Sequence, residues 1–305
     1  MSMDGFLVVD KPAGMTSHDV VARVRRILGQ KKVGHTGTLD PFATGVLPVA
    51  LGEGTKAIPF LDESRKEYHA VMRLGEETDT QDLTGQVISR GDWRQLTPDG
   101  IDAVARLFVG PISQVPPMFS ALKRDGIPLY KLARQGAEVE RQPRNIEIFS
   151  LVLQRTELPD VAFSVVCSRG TYVRTLAADM GGRLGCGAHL RELRRIRSGP
   201  FAIENAVTIE QLADAAASDK VQALVVSPLA ALSPLPELLL RERGVAKVGN
   251  GIVPDAGDLE SGGDMALSGG RVRLSRSGRL VAVAEAAVVN DGRHVQIQRL
   301  LRVFH

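Results

Sequence analysis

Cysteine is nearly absent: the 305-residue chain holds only Cys167 and Cys186, and they form no CxxC pair. That spacing indicates neither a zinc site nor a redox motif, and the expectation is two free, partly buried thiols. The six histidines lack HExxH or any related ligand spacing, so a metal-independent reaction with no cofactor is expected. No stretch approaches the ~20 apolar residues of a membrane helix, and the start lacks the basic, apolar and small-residue order of a signal peptide. The expected compartment is the cytoplasm. Neither GxxxxGK(S/T) nor a helix-opening GxGxxG is present. Gly52-Glu53-Gly54-Thr55-Lys56 does not supply the order a phosphate cradle needs.

What the chain does have is material for a sizeable core: 44% of its residues are hydrophobic, over a length that suits one large or two ordinary domains. The net charge of +3 is modest, but its distribution is uneven. Between residues 169 and 197 stand Arg169, Arg174, Arg183, Arg191, Arg194, Arg195 and Arg197 against Asp179 and Glu192, a local excess larger than that of the whole chain. Such a run serves either as a solvated helix face or as a track for a polyanion, and the second would give RNA affinity that falls with salt.

Hydrophobic periodicity places the elements. Phe6 to Asp10 reads as a short buried strand. Ser17 is placed to cap a helix carrying Val20, Val21, Val24, Ile27 and Leu28, which Gly29 ends. Alternation from Lys66 to Gly75 predicts a half-buried strand with Tyr68 on its less polar face, and Val161 to Cys167 a second strand. Thr97-Pro98 opens a helix expected over 98–109. Tyr172 to Leu184 reads as a helix ended by Gly185, with Tyr172 and Arg174 beside the free N–H groups of its first turn. Thr208 to Gln211 fits a capping box. The Pro-rich stretch Ser227 to Pro236 reads as a linker, beyond which glycine-punctuated segments suggest strands at 279–289 and 294–303. The irregular interspersion of strands and helices favours an α+β fold, divided into 1–232 and 233–305.

The densest constellation is Gly34-His35-Thr36-Gly37-Thr38-Leu39-Asp40-Pro41-Phe42-Ala43-Thr44-Gly45. Pro41 biases Asp40 away from helix, and the glycines permit tight turns and close approach of a bulky ligand. A polar turn with Asp40 accepting backbone N–H bonds is the bland alternative.

This loop resembles one of the bacterial TruB-type tRNA pseudouridine synthases, the family that isomerises the T-loop uridine at tRNA position 55. The resemblance extends to Lys11-Pro12-Ala13-Gly14-Met15-Thr16-Ser17, Lys66-Glu67-Tyr68, Thr78-Asp79-Thr80-Gln81-Asp82, Pro116 to Lys123, Arg169 to Leu176 and His189 to Arg195, in that order. It covers residues 4–228, with a weaker match in the tail. It implies the pseudouridine synthase fold, a curved mixed sheet with a central cleft, followed by a small β-rich PUA-like RNA-binding module. By the same resemblance Asp40 is the essential carboxylate and Tyr68 the platform for the flipped uracil, its hydroxyl also placed to assist loss of the C5 proton directly or through water. Arg174, whose fork can hold a carboxylate bidentately, is the candidate partner of Asp40, with an RNA-phosphate contact as the alternative. His35 is set against the disrupted RNA loop, and Tyr172 and Leu193 around the pocket. Lys11, Lys56, Asp82 and Lys123 match motif positions and take supporting or RNA-backbone roles; for the lysines a solvated surface position is the competing reading.

The implied reaction breaks the C1′–N1 bond, turns the uracil, joins C5 to C1′ and removes the C5 proton. A carboxylate near C1′ serves it by stabilising oxocarbenium character, by bonding to the carbon or by taking a ribose proton, and the sequence leaves all three routes open. The expected partner is the T-stem-loop of tRNA, with no membrane and no obligate protein partner, the chain acting as a monomer. A protein that binds or remodels the tRNA elbow without turnover is the alternative, since arginines and aromatics serve binding equally well.

Overall fold

The computed structural model describes residues 3–260, 270–289 and 294–305, so parts of both expected domains, residues 1–2, 261–269 and 290–293, lie outside the described residues. A nine-stranded mixed sheet dominates. Its main path runs Gly5–Lys11, Thr44–Leu51, Ala188–Ser198, Arg65–Leu74, Asp160–Ser168, Arg144–Glu157 and Gly110–Gln114, with Val33–His35 and Phe201–Ala202 paired on its flanks. Strict alternation along the strands sorts side chains between two faces. On Gly5–Lys11, Leu7 and Val9 join one cluster with Val20, Val21 and Val24 of the helix Ser17–Leu28, while Phe6 and Val8 join another on the opposite face. Tyr68, Ala70, Met72 and Leu74 pack with Val161, Phe163 and Val165 against Val173, Leu176 and Met180 of the helix Val173–Leu184.

The sheet is split between the second and third strands of its main path. Ala188–Ser198 pairs with Thr44–Leu51 over only two positions, Arg194 with Thr44 and Arg195 with Gly45, the parallel contact of the two halves. Gly45 has φ +100°, and a Cβ there would meet the Arg195 carbonyl oxygen at 2.2 Å. Its glycine is therefore required by the approach of another strand's backbone, not by a ligand. The Asp40 loop, between Val33–His35 and Thr44–Leu51, sits at this split.

A second sheet, Glu237–Leu239, Gly270–Arg276, Arg279–Val289 and His294–Val303, follows in sequence and has the β-rich character expected. Ser227 to Pro236 is not the open linker expected. Ser227 caps a short helix, Pro228–Ala231, and Ala231 and Leu232 are buried with Phe6, Val46, Phe201, Leu280, Val283 and Phe304. Apolar residues inside the Pro-rich stretch give it a core of its own to join.

Other boundaries shift for local reasons. Thr16 rather than Ser17 caps the first helix, in a capping box with Asp19. The helix expected over 98–109 ends at Arg106. The arginine run divides: Ala188–Ser198 is a strand, Arg169, Arg183, Arg191 and Arg197 are exposed, and Arg174 and Arg195 are buried. Cys167 and Cys186 are fully buried, not partly. Among the described residues no helix is long and apolar enough to cross a membrane, and no cluster of His, Cys, Asp and Glu could hold a metal ion.

Candidate active site

Asp40 is held from three sides. Ser17 is the first helical residue after the cap, fully buried, and its hydroxyl both donates to the Leu39 carbonyl (3.1 Å) and accepts from the Leu39 N–H (2.9 Å). Lys11, with no exposed surface, donates through Nζ to the carbonyls of Pro12, Met15 and Pro41 at 2.8, 2.7 and 3.1 Å. Burial pulls its ammonium down to about 8, against the opposing charge of Asp40. Lys11 is thus a support for the loop and not the solvated lysine that was the competing reading. From the third side Arg195 donates to the carbonyls of Val46, Thr38 and Gly37 at 2.7, 3.4 and 3.2 Å.

The carboxylate faces Arg174, whose Nε lies 2.8 Å from Oδ2 and whose Nη2 lies 3.4 Å from Oδ1. Such a two-point approach fixes orientation as well as charge. The same guanidinium donates to the carbonyls of Thr80 (3.0 Å) and Phe119 (2.9 Å) and lies 3.3 Å from Asp82 Oδ2. Asp82 is locked in turn: Oδ1 accepts from the Thr80 hydroxyl at 2.8 Å and the Thr84 N–H at 2.9 Å. Arg174 is buried between two carboxylates, whereas the Asp40 side chain remains 32% exposed. That exposure leaves the carboxylate reachable from outside. Desolvation raises the Asp40 carboxyl above its ordinary range, with Arg174 opposing and Asp82 reinforcing the shift.

Tyr68 is buried beside this pair, and its phenol is pushed up to about 12 by burial, partly offset by Arg195. Leu193 shares its cluster. Tyr172, half-buried at the start of the Arg174 helix, is fixed through its backbone: its N–H donates to Gln114 Oε1 at 2.8 Å and its carbonyl accepts from Gln114 Nε2 at 3.1 Å. Its hydroxyl is also raised, by burial first. His35 stands at the edge of the loop with its ring 5.1 Å from that of His18, edge to face, and burial lowers its pKa, favouring the neutral imidazole. A groove of about 930 Å³ flanks the loop, lined by Gly14, Pro41, Phe42, Leu193, Arg191 and Arg194 among others. At the upper end of the size of ligand clefts, it suits more than a single base.

Two residues proposed on motif position lie elsewhere. Lys56 pairs with Glu53 at 2.5 Å and donates to the Val303 carbonyl at 3.4 Å, so it ties the first sheet to the second. Lys123 is exposed on the small hairpin Lys123–Arg124 and Ile127–Pro128. Conversely, Glu63 and Gln114 join the site from outside any motif, and Lys66 and Arg195, which stand in motifs, join it without having been given a role there. Arg195 was read as one charge of a run; only its position opposite Tyr68 on the neighbouring strand, a long-range register, distinguishes it.

Solved structures give the class. Over 98% of this chain and 85% of the other, the fold matches the chain in a crystal structure of a Cbf5-Nop10-Gar1 complex, with a TM-score of 0.72 and 31% identity. A chain from an H/ACA RNP bound to a substrate RNA containing 2′-deoxyuridine matches with a TM-score of 0.72 and 28% identity, over 98% and 85%. The fold is that of the pseudouridine synthases of the Cbf5 and TruB type. The chain belongs to the TruB family: residues 25–173 match the N-terminal domain of TruB family pseudouridylate synthase, and residues 174–239 the tRNA pseudouridylate synthase B C-terminal domain. It is 60% identical over 304 residues to tRNA pseudouridine synthase B of Geotalea uraniireducens, covering 99% of this chain and 98% of that one. The protein of the same name from Geobacter sulfurreducens is 58% identical over 304 residues, covering 99% and 100%.

Proposed function

We propose that the chain isomerises uridine to pseudouridine at position 55 in the T-loop of tRNA, with Asp40 as the essential carboxylate acting on a flipped-out nucleotide. The observation that carries this reading is the Asp40 carboxylate, paired to a buried arginine yet open on one side, next to a buried tyrosine. Extruding the base costs a few kcal/mol, which stacking on an aromatic face offsets by roughly 1–3 kcal/mol. Tyr68 supplies that face. Burial pushes its phenol up to about 12, so it meets the base protonated, as a stacking and hydrogen-bonding group whose hydroxyl assists loss of the C5 proton through water. Arg174 aims one carboxylate oxygen at C1′ and holds the acid ionised against desolvation. Tyr172 and Leu193 border the base, and His35, at the loop edge, faces the RNA.

Residues 233–305 act as a PUA-like RNA-binding module, and the chain works in the cytoplasm as a monomer, without an obligate protein partner or a cofactor. A lone acid facing RNA disfavours the binding-only alternative, because phosphate repulsion would weaken affinity with nothing gained. The purified chain, alone with unmodified tRNA transcript, should form pseudouridine at the T-loop site, read by nucleoside mapping with chemical labelling. Asp40→Asn should lower the rate by about 10³-fold or more while leaving RNA affinity unchanged or improved. Full turnover by Asp40→Asn would sink the assignment of Asp40; tight binding without product from the wild type would favour the binder.

A further inference from the structure

The charges buried around the Asp40 loop do not cancel. Arg174 pairs with both Asp40 and Asp82, Lys11 acts on Asp40 at longer range, and Glu63 acts on Lys66 next to Gly37, so three carboxylates stand against four cations once Arg195 is counted. Arg195 is left over. It has 0% exposure and is the largest of the fully buried side chains, yet among the described residues no carboxylate lies within ion-pair distance of it. Its guanidinium donates instead to three backbone carbonyls. Burying a cation without an anion is costly, and carbonyl dipoles offset only part of that cost. A fold that keeps such a charge has a use for negative charge nearby.

The position of the cation indicates where. Arg195 lies directly across from Tyr68 in the strand register, against its hydroxyl, and grips Gly37 and Thr38 just before Asp40. Resting on the functional reading above, we infer that Arg195 is a positioning residue that holds the Asp40 loop and the Tyr68 platform in one register and supplies the unmatched positive charge that steadies the uracil anion.

The chemistry asks for such a charge at one step. When C1′–N1 breaks, its electron pair stays on N1, and the detached uracil carries a negative charge shared with its carbonyl oxygens. The deficit at C1′ is met by an Asp40 oxygen or by loss of a ribose proton. After the base turns, a ring π pair forms the C5–C1′ bond while the Asp40–C1′ bond returns its pair to the carboxylate, or while the ribose proton taken earlier is given back. A water then takes the C5 proton, the C5–H pair returns to the ring, and N1 takes up a proton in exchange. A fixed cation beside the stacking platform favours the first event without touching the base, and needs no reorganisation when the charge appears.

Arg195→Met and Arg195→Lys, beside wild type, would be compared in single-turnover rate on a T-stem-loop RNA, RNA affinity and thermal midpoint. Arg195→Met should be slower by about 100-fold while RNA affinity stays within about threefold. Arg195→Lys, which keeps charge but loses the fork, should recover about tenfold of that loss. For Arg195→Ala, millimolar guanidinium should restore rate where equal sodium chloride does not. If Arg195→Met folds poorly, the lysine variant and guanidinium rescue carry the test. Lysine and methionine variants equally slow, with no rescue and with affinity falling in step, would reduce Arg195 to packing and overturn the inference. An Arg195→Met enzyme as fast as an active wild type would overturn it alone, whereas a wild type that makes no pseudouridine would sink the functional reading and this inference together.

Discussion

Desolvation raises the Asp40 carboxyl, and Asp82 adds to that shift, while Arg174 and then Lys11 pull the other way. A mechanism that needs the ionised acid should therefore lose rate on acidification at a higher pH than an ordinary aspartate would dictate. On the alkaline side burial lowers both Lys11 and Lys66 to about 8, and deprotonation of Lys11 removes one of the charges that support Asp40. The rate–pH profile of the wild type should be bell-shaped, and Lys11→Arg should move the alkaline limb upward while leaving the acid limb in place. An alkaline limb indifferent to Lys11→Arg would separate the two groups. For stability the sign follows from the raised carboxyl. Its contribution is full below the unfolded pKa and is lost as pH rises through the folded one, so Asp40→Asn should flatten that part of the stability–pH curve. Residue identity was legible here because Asp40, Tyr68 and Arg174 sit in dense motifs. The complete burial of Lys11 was not, since a lysine four positions before Met15 carries no local sign that three carbonyls will surround its ammonium.

Helices and strands were legible wherever one periodicity ran unbroken, as in the alternation around Tyr68 and the Val20, Val21, Val24 stripe. What slipped by one residue proved consequential. Because Thr16 caps the helix, Ser17 is free to turn inward and bond both ways to Leu39. Ser17→Ala strands a buried N–H and should destabilise the fold by about 1–3 kcal/mol. Since Leu39 precedes Asp40, the single-turnover rate should fall with little change in RNA affinity, measured beside a denaturant melt. A loss confined to stability would detach the cap region from the site. The arginine run misled at the same scale. Charge density does not distinguish a helix face from a strand whose alternate residues, Leu193 and Arg195, turn into the core.

Across the whole molecule, one cluster joins the two sheets: Phe6, Val8, Val46 and Phe201 of the first meet Leu280, Val283 and Phe304 of the second through Ala231 and Leu232. Phe304→Ala should cost about 3–5 kcal/mol. Because both sheets share the cluster, calorimetry should show a single transition moved downward; two separated transitions in the wild type would mean that the sheets unfold independently. Lys56 reinforces the junction by reaching the Val303 carbonyl from the short helix Gly54–Ala57 that follows Thr44–Leu51, a tertiary duty that its motif position did not announce.

The sequence by itself determined the α+β class, the ordered motifs and the residues with chemistry to offer, because turn glycines, caps and hydrophobic period act over a few positions and are written locally. Only the tertiary structure decided which charges meet. Arg174 reaches Asp40 across 134 positions and Asp82 across 92, and Arg195 reaches Thr38 across 157. Those distances in sequence are closed by strand register and by the splitting of the sheet at Gly45, where two backbones approach. Burial then sets the protonation of groups whose identity alone leaves it open.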